Sequence, residues 1–361
     1  MKHSIFFGVL FSSMLLWGCE EEPGGKGGTF TPGTGGQDGW SIPLDEVFDG
    51  GPGKDGIPAL TEPANISAGD ADYLSDDELV IGFVYGDEAR AYPHQILDWH
   101  EIINDQVGEV NIALTYCPLT GTGIGWNREI DGEVTTFGVS GLLYNSNLIP
   151  YDRKTDSNWS QIRLDCVNGK LRGKVAETFP LVETTWKTWK EMYPSTTVIS
   201  QETGHNRNYG RYPYGNYRTA HDYLIFPVAN EDDRFPNKER VLGILHSGSV
   251  RVYSFSSLGD KVSVILDELN GEDLVIIGNQ EDNFMVAFIN DPGDGFTLSF
   301  SPVQGQYPVV MTDGEGNLWD VNGRAVSGPR KDSRLEAPPS FIGYWFSFAA
   351  FYPDLTIYGD S

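Results

Sequence analysis

The sequence predicts a mainly β fold with a minor α component (α+β), arranged as two tandem pseudo-repeated β-rich units that each carry one or two short helices. Three observations lead there. Short runs rich in Val, Ile, Tyr and Phe recur between Gly-Asp, Asp-Gly and Asn-Ser turns. Helical periodicity is sparse. Residues 77–198 are echoed in order by residues 239–357: Asp77-Glu78-Leu79-Val80-Ile81-Gly82 by Glu239-Arg240-Val241-Leu242-Gly243-Ile244, and Ala89-Arg90-Ala91-Tyr92 by Val250-Arg251-Val252-Tyr253. The far ends match as well, Trp186-Lys187-Thr188-Trp189 through Tyr193-Pro194 against Trp345-Phe346-Ser347-Phe348 through Tyr352-Pro353.

Element by element, the first unit opens with a turn-rich lead-in at residues 40–65 and continues with strands at 79–85, 89–92, 109–116, 123–127, 134–139 and 148–152. A helix is expected at 184–193. Thr184 or Thr185 supplies its N-cap oxygen, Trp186 and Trp189 share a face, and Pro194 stops it. A shorter helix is placed at 93–100. The second unit repeats the plan with strands at 241–245, 250–255, 273–278, 284–289 and 296–300 and a helix at 344–351. Shared residues are mostly apolar, aromatic or turn-forming, which is what a scaffold requires. On this alignment Asn168-Gly169-Lys170 meets Asn322-Gly323-Arg324, Cys117 falls opposite Gln280, and His100 opposite Lys261. Chemistry is therefore sought in what the first unit holds alone.

Residues 1–18 have the plan of a lipoprotein signal peptide: Lys2 and His3, then an apolar run too short to span a bilayer as a mature helix, then Gly18 before Cys19. Acylation of Cys19 would tie the chain to a lipid bilayer, at about 0.8 kcal/mol per buried CH2. Glu20-Glu21-Glu22 follows, with no Asp directly after the lipid cysteine, which suits onward transfer to an outer membrane. Residues 19–45 are assigned to a tether, whose Gly-, Thr- and Pro-rich stretch spans roughly 25 Å as a flexible coil. The first unit then covers 46–202, a Tyr/Gly/Arg-rich crossover 203–230, and the second unit 231–361. A net charge of -26 makes nucleic acid a poor partner and favours solubility. With Cys19 assigned to lipid, Cys117 and Cys166 remain, either free or paired in an exported compartment that permits disulfides.

The reactive-looking centre is Tyr116-Cys117-Pro118-Leu119-Thr120-Gly121. Proline after Cys117 biases it to extended backbone, and the following Gly-rich turn places it on a loop at a strand end. There the Thr120 hydroxyl and successive backbone N–H groups are positioned to stabilise a thiolate, with His100 as a nearby base. Asn145-Ser146-Asn147, absent from the second unit, adds polar binding groups. In the crossover, Arg207 and Arg211 among tyrosines suit a planar or anionic ligand; the alternative is that these tyrosines pack on the two units.

ARAYP (89–93), DWHEIIND (98–105), TYCPLTG (115–121), GLLYNSNL (141–148) and YDRKTDSNWSQ (151–161), followed by TTWKTWKEMYP (184–194) and TGHNRNYG (203–210), resemble in order the domain of unknown function 3179 family. The resemblance implies exported bacterial or archaeal proteins, some named as selenoproteins. Selenium replaces sulfur where a thiolate reacts, so the resemblance points to redox chemistry at Cys117. Relatives with CPLC carry a second cysteine where this chain has Thr120, which leaves Cys166 as the remaining candidate for a resolving thiol.

The preferred expectation is a cell-envelope lipoprotein with a thiol redox site, in which Cys117 is the nucleophile, Thr120 stabilises it and His100 is the base, acting as a thiol oxidoreductase on a small-molecule or protein thiol partner. Two rivals belong to other classes. One is a lipoprotein holding a soft, copper-type ion through Cys117, His100 and His94; the other is a non-catalytic envelope interaction module with Cys117 buried. Other templates fail: His100-Glu101-Ile102-Ile103-Asn104 lacks the second histidine of a zincin helix, and Asp313-Gly314-Glu315-Gly316-Asn317 has Arg324 where a calcium loop needs its bidentate acid.

Overall fold

The computed structural model describes residues 39–360, so the signal peptide, Cys19 and most of the tether lie outside the described residues. Among the described residues 43% are strand and 11% helical, and the helices are α1 (His94–His100), α2 (Trp186–Met192) and α3 (Trp345–Phe351). The mainly β class holds. The tether ends earlier than residue 45: the Ser41 N–H donates to Val167 O at 2.8 Å and Ile42 is buried, because Trp40, Ile42 and Leu44 add apolar surface to a small cluster with Val47, Ile149 and Val167.

Three five-stranded sheets and a small two-stranded one, Glu129–Ile130 with Glu133–Val134, form the first half. One runs Val182–Thr185, Leu79–Tyr85, Glu88–Pro93, Thr197–Ile199, Asn65–Ser67; the second runs Thr178–Phe179, Thr122–Asn127, Val110–Cys117, Ile102–Val107, Leu60–Thr61; the third is led by the hairpin Phe137–Tyr144 and Asn147–Asp152. The second half has the same succession. Ser340–Tyr344, Arg240–His246, Ser249–Ser254 and Thr356–Ile357 form a sheet, Ser263–Leu269, Glu272–Asn279 and Phe284–Ile289 a three-stranded meander, and Phe300–Gln306 and Val309–Asp313 the next hairpin. The expected strand at 134–139 lies instead at Phe137–Tyr144. That at 296–300 starts only at Phe300, because the Asp291 carboxylate accepts the N–H groups of Gly293, Asp294 and Gly295 and holds the preceding residues in a turn.

Side-chain devices recur between the halves. Arg90 and Tyr92 both donate to Asp105, and Arg90 also donates to Thr197; Arg251 and Tyr253 do the same with Asp267 and Thr356. Gly82 lies under Trp189 and Gly243 under Phe348, where an added Cβ would come within 2.1 Å and 2.0 Å of the ring. The Asp152 carboxylate accepts the Trp159 indole N–H, and Asp313 that of Trp319. Matching Asp105 to Asp267 places Asn279, not Gln280, at the position of Cys117, and Val262, not Lys261, at that of His100. Likewise Gly169 packs on Ser157 as Gly328 packs on Asn317, so its partner is Gly328, and the match of NGK to NGR is out of register.

One apolar cluster runs through both halves, joining Cys117, Leu119, Trp126 and Trp159 to Val241, Phe341, Trp345 and Phe348. The CPLT turn sits at this junction. Tyr344 N–H donates to Thr120 O at 2.7 Å, so an edge strand of the second half pins the turn of the first.

Candidate functional site

Cys117 is the last residue of Val110–Cys117 and Thr122 the first of the antiparallel Thr122–Asn127, so Pro118-Leu119-Thr120-Gly121 forms the hairpin connection. Gly121 takes the left-handed φ of 61° that the reversal requires, which glycine adopts without strain. Cys117 is 1% exposed, and its sulfur makes a weak contact with Ser146 O at 3.7 Å. Burial pushes its thiol up to about 11, and the neighbouring Glu101 adds to the rise; Thr120 and the Leu148 N–H pull the other way without cancelling it. Near neutral pH the resting group is a thiol, not the thiolate that the sequence led us to expect. Cys166 is likewise buried and free, and its thiol is pushed up to about 11 by burial.

Thr120 belongs to a closed polar network under the turn. Its hydroxyl lies 2.8 Å from that of Thr122 and accepts from Asn147 Nδ2 at 3.0 Å; Thr122 donates to Gln161 Oε1 at 2.8 Å, and Gln161 Nε2 reaches Thr115 O and Oγ1, both at 3.0 Å. All five side chains are buried. In the second half the matched positions are Ile277 for Thr115 and Phe284 for Thr122. Val309 follows the two-residue hairpin turn as Asn147 does, and Val321 stands two residues past the shared tryptophan, as Gln161 does. Every one is apolar. Four hydrogen-bonding side chains at matched positions therefore exist only in the half that carries the cysteine.

His100 is placed differently from its expected role. Its Nδ1 donates to Pro58 O and its Nε2 accepts from Tyr209 OH, both at 2.7 Å, so both ring nitrogens are engaged away from Cys117. Burial depresses it to about 4, leaving a neutral structural imidazole. His94 faces Tyr116 OH at 3.3 Å and Glu183 at 3.2 Å. Among the described residues no group of three or more His, Cys, Asp and Glu converges as metal ligands.

The residue beside His100 does reach the site. Glu101 closes α1 at φ 58°, a conformation that costs a non-glycine residue about 1–3 kcal/mol and is held by its N–H to Leu97 O and its C=O from Tyr116 N–H at 2.6 Å. Its side chain is 7% exposed, and burial pushes the carboxyl up to about 8, with Asp98 adding to the rise and a hydrogen bond from Tyr214 opposing it. Sequence reading passed over it because a Glu next to a His at a helix end looks like a solvated charge. A signal was present: an acid directly before the apolar Ile102-Ile103 run.

The crossover lies on this site as a strap. Tyr212 OH donates to Pro118 O at 3.1 Å, Tyr214 reaches Glu101, and Tyr217 is 1% exposed with its hydroxyl unpartnered, in the same buried cluster as Cys117. Arg218 stacks 3.8 Å from the Tyr212 ring centre and pairs with Asp98. Asn145 and Ser146, in the type I′-like turn before Asn147, fasten the strap rather than stand open: Ser146 Oγ donates to Phe226 O at 2.7 Å and Asn145 Oδ1 accepts from Ala229 N–H at 2.8 Å. Arg207 packs over Trp99, and Arg211 offers its carbonyl to the Trp99 indole, so these two arginines lie on the outer side of α1. Of the residues singled out from sequence, Cys117 and Thr120 meet, with Asn147 in the same network. His100, Arg207 and Arg211 stand apart.

Fold and site together define a mainly β protein with a covered thiol at the junction of two halves. The chain belongs to the family described as protein of unknown function (DUF3179), whose model matches residues 54–355. No curated protein and no solved structure matches the chain.

Proposed function

We propose that the chain is a cell-envelope lipoprotein, anchored through acylated Cys19, that carries a thiol redox site at Cys117, held protonated and covered until the strap lifts. A single observation carries the reading: four of the five buried polar side chains around the Cys117 turn are replaced by Ile277, Phe284, Val309 and Val321 where the cysteine is missing, and the fifth, Thr120, by Asp282, whose carboxylate is taken up by Thr188, Asn279 and Tyr307. A hairpin of this shape is built in the second half without those groups, so they are not required for folding the unit. Buried hydrogen-bonding groups are costly to assemble, and their confinement to one half fits selection for the sulfur's surroundings. The recurring devices also support a duplicated unit in which one half retained chemistry.

The soft-metal reading has less support, because both ring nitrogens of His100 are committed to Pro58 and Tyr209. The test is peptide-resolved iodoacetamide labelling of the native protein. Cys117 is expected to label slowly below the unfolding transition while Cys166 stays unlabelled. Labelling of both only on global unfolding would favour the non-catalytic interaction module.

A further inference from the structure

Resting on the thiol reading, we propose that Glu101 is the proton donor to the group that leaves when Cys117 attacks a disulfide. Three placements argue for it. The backbone of Glu101 is locked to Tyr116, the residue before the cysteine, by the 2.6 Å bond from Tyr116 N–H. The ionisable neighbours of its carboxyl are Asp98 on its own helix and Tyr214 on the strap, with Cys117 on the next strand within electrostatic reach. The nearest cation of this cluster, Arg218, is committed to Asp98. In the second half the matched residue is Ser263, so carboxyl and thiol are lost together.

A ligand-directed feature is independent of these. The Tyr217 hydroxyl is an orphan polar group in the interior, on the strap and in the same buried cluster as Cys117. Buried hydroxyls normally have partners, and an incoming polar atom at the sulfur would supply one.

The exchange balances as follows. The Cys117 proton passes to water, the Cys117 sulfur bonds to one sulfur of the disulfide, and the disulfide's S–S bond breaks. The departing sulfur takes the electron pair and the Glu101 proton, and the carboxylate regains a proton from water. Cys117 is oxidised to a mixed disulfide and the partner is reduced to one thiol. A donor is needed most when the leaving thiol is a poor one.

The experiment compares a dialkyl disulfide with an activated aromatic disulfide on the full chain, with iodoacetamide, which has no sulfur leaving group, as the access control. In Glu101→Gln the alkyl rate is expected to fall about tenfold or more relative to the aromatic rate. Iodoacetamide labelling below pH 8 should hold, because the carboxyl is already neutral there and the amide replaces it without a change of charge. Glu101→Asp should recover part of the loss. In the unaltered protein the alkyl-to-aromatic ratio should fall as pH rises through about 8, where the carboxyl gives up its proton. An unchanged ratio in Glu101→Gln, or a flat ratio across that pH range, overturns the donor role. Failure of all three reagents to modify Cys117 in the folded protein would instead remove the thiol reading on which it rests.

Discussion

At the residue scale, the surroundings of Cys117 separate what sequence can show from what it cannot. Cys117, Thr120 and Asn147 were legible because they sit in turn-forming strings that interrupt strand patterns, and those strings do meet. Glu101 and Gln161 were not, since their importance comes from the tertiary fold, which brings them to the turn from the end of α1 and from the turn after Asn158–Ser160. His100 misled for the reverse reason: a histidine near a cysteine in sequence looks like its base, yet one helix turn aims the ring at Pro58 and Tyr209. Gln161→Leu should remove the shared partner of Thr115, Thr122 and Asn147, leaving Thr115 with Ile124 O and Thr122 with Thr120, and it is expected to lower stability by about 1–3 kcal/mol in denaturant melts. A cost below a few tenths of a kcal/mol would show that the network is not held as described. Glu101 also leaves a stability signature. Its carboxyl lies at about 8 folded against 4.5 unfolded, so the stability it contributes is fully present below 4.5 and is lost as pH rises through 8. Glu101→Gln should flatten the melting temperature against pH between those values, whereas an unaltered slope would place the carboxyl in water.

At the scale of elements, strands 79–85 and 284–289 were read to the residue because each is a continuous apolar run bounded by turn chemistry. Ser263–Leu269 was missed, since charged Asp267 and Glu268 break its pattern, although Asp267 is the anchor for Arg251 and Tyr253. The one-residue error in matching Cys117 has the same origin: the side-chain trio fixes register, and sequence similarity is blind to it. The strap has a mechanical property of its own. Among the described residues the backbone–backbone bonds of residues 204–235 run only within the segment, and side chains alone tie it to the sheets. Such a segment opens without breaking a ladder. Amide exchange across 204–235 should therefore be faster than across Val110–Cys117 by orders of magnitude, and equal protection in the two would argue against a separable strap.

At the scale of the molecule, the two halves share a core, yet the chemistry proposed is concentrated in one of them and capped by the link between them. The second half contributes the strand that pins Thr120. Where the protein resides is a separate proposal with its own check: fatty-acid labelling in a cell that processes lipoproteins should appear on the full chain and vanish in Cys19→Ser, and label persisting in that variant would reject the anchor. The central claim, a thiol reached by strap opening, is tested most directly by the iodoacetamide labelling rate of Cys117 in native protein and in Arg218→Ala, which unfastens the strap from Asp98. The account predicts labelling about tenfold faster in the variant under conditions well below its own unfolding transition. Equal rates in the two proteins, both rising only in step with global unfolding, would contradict it.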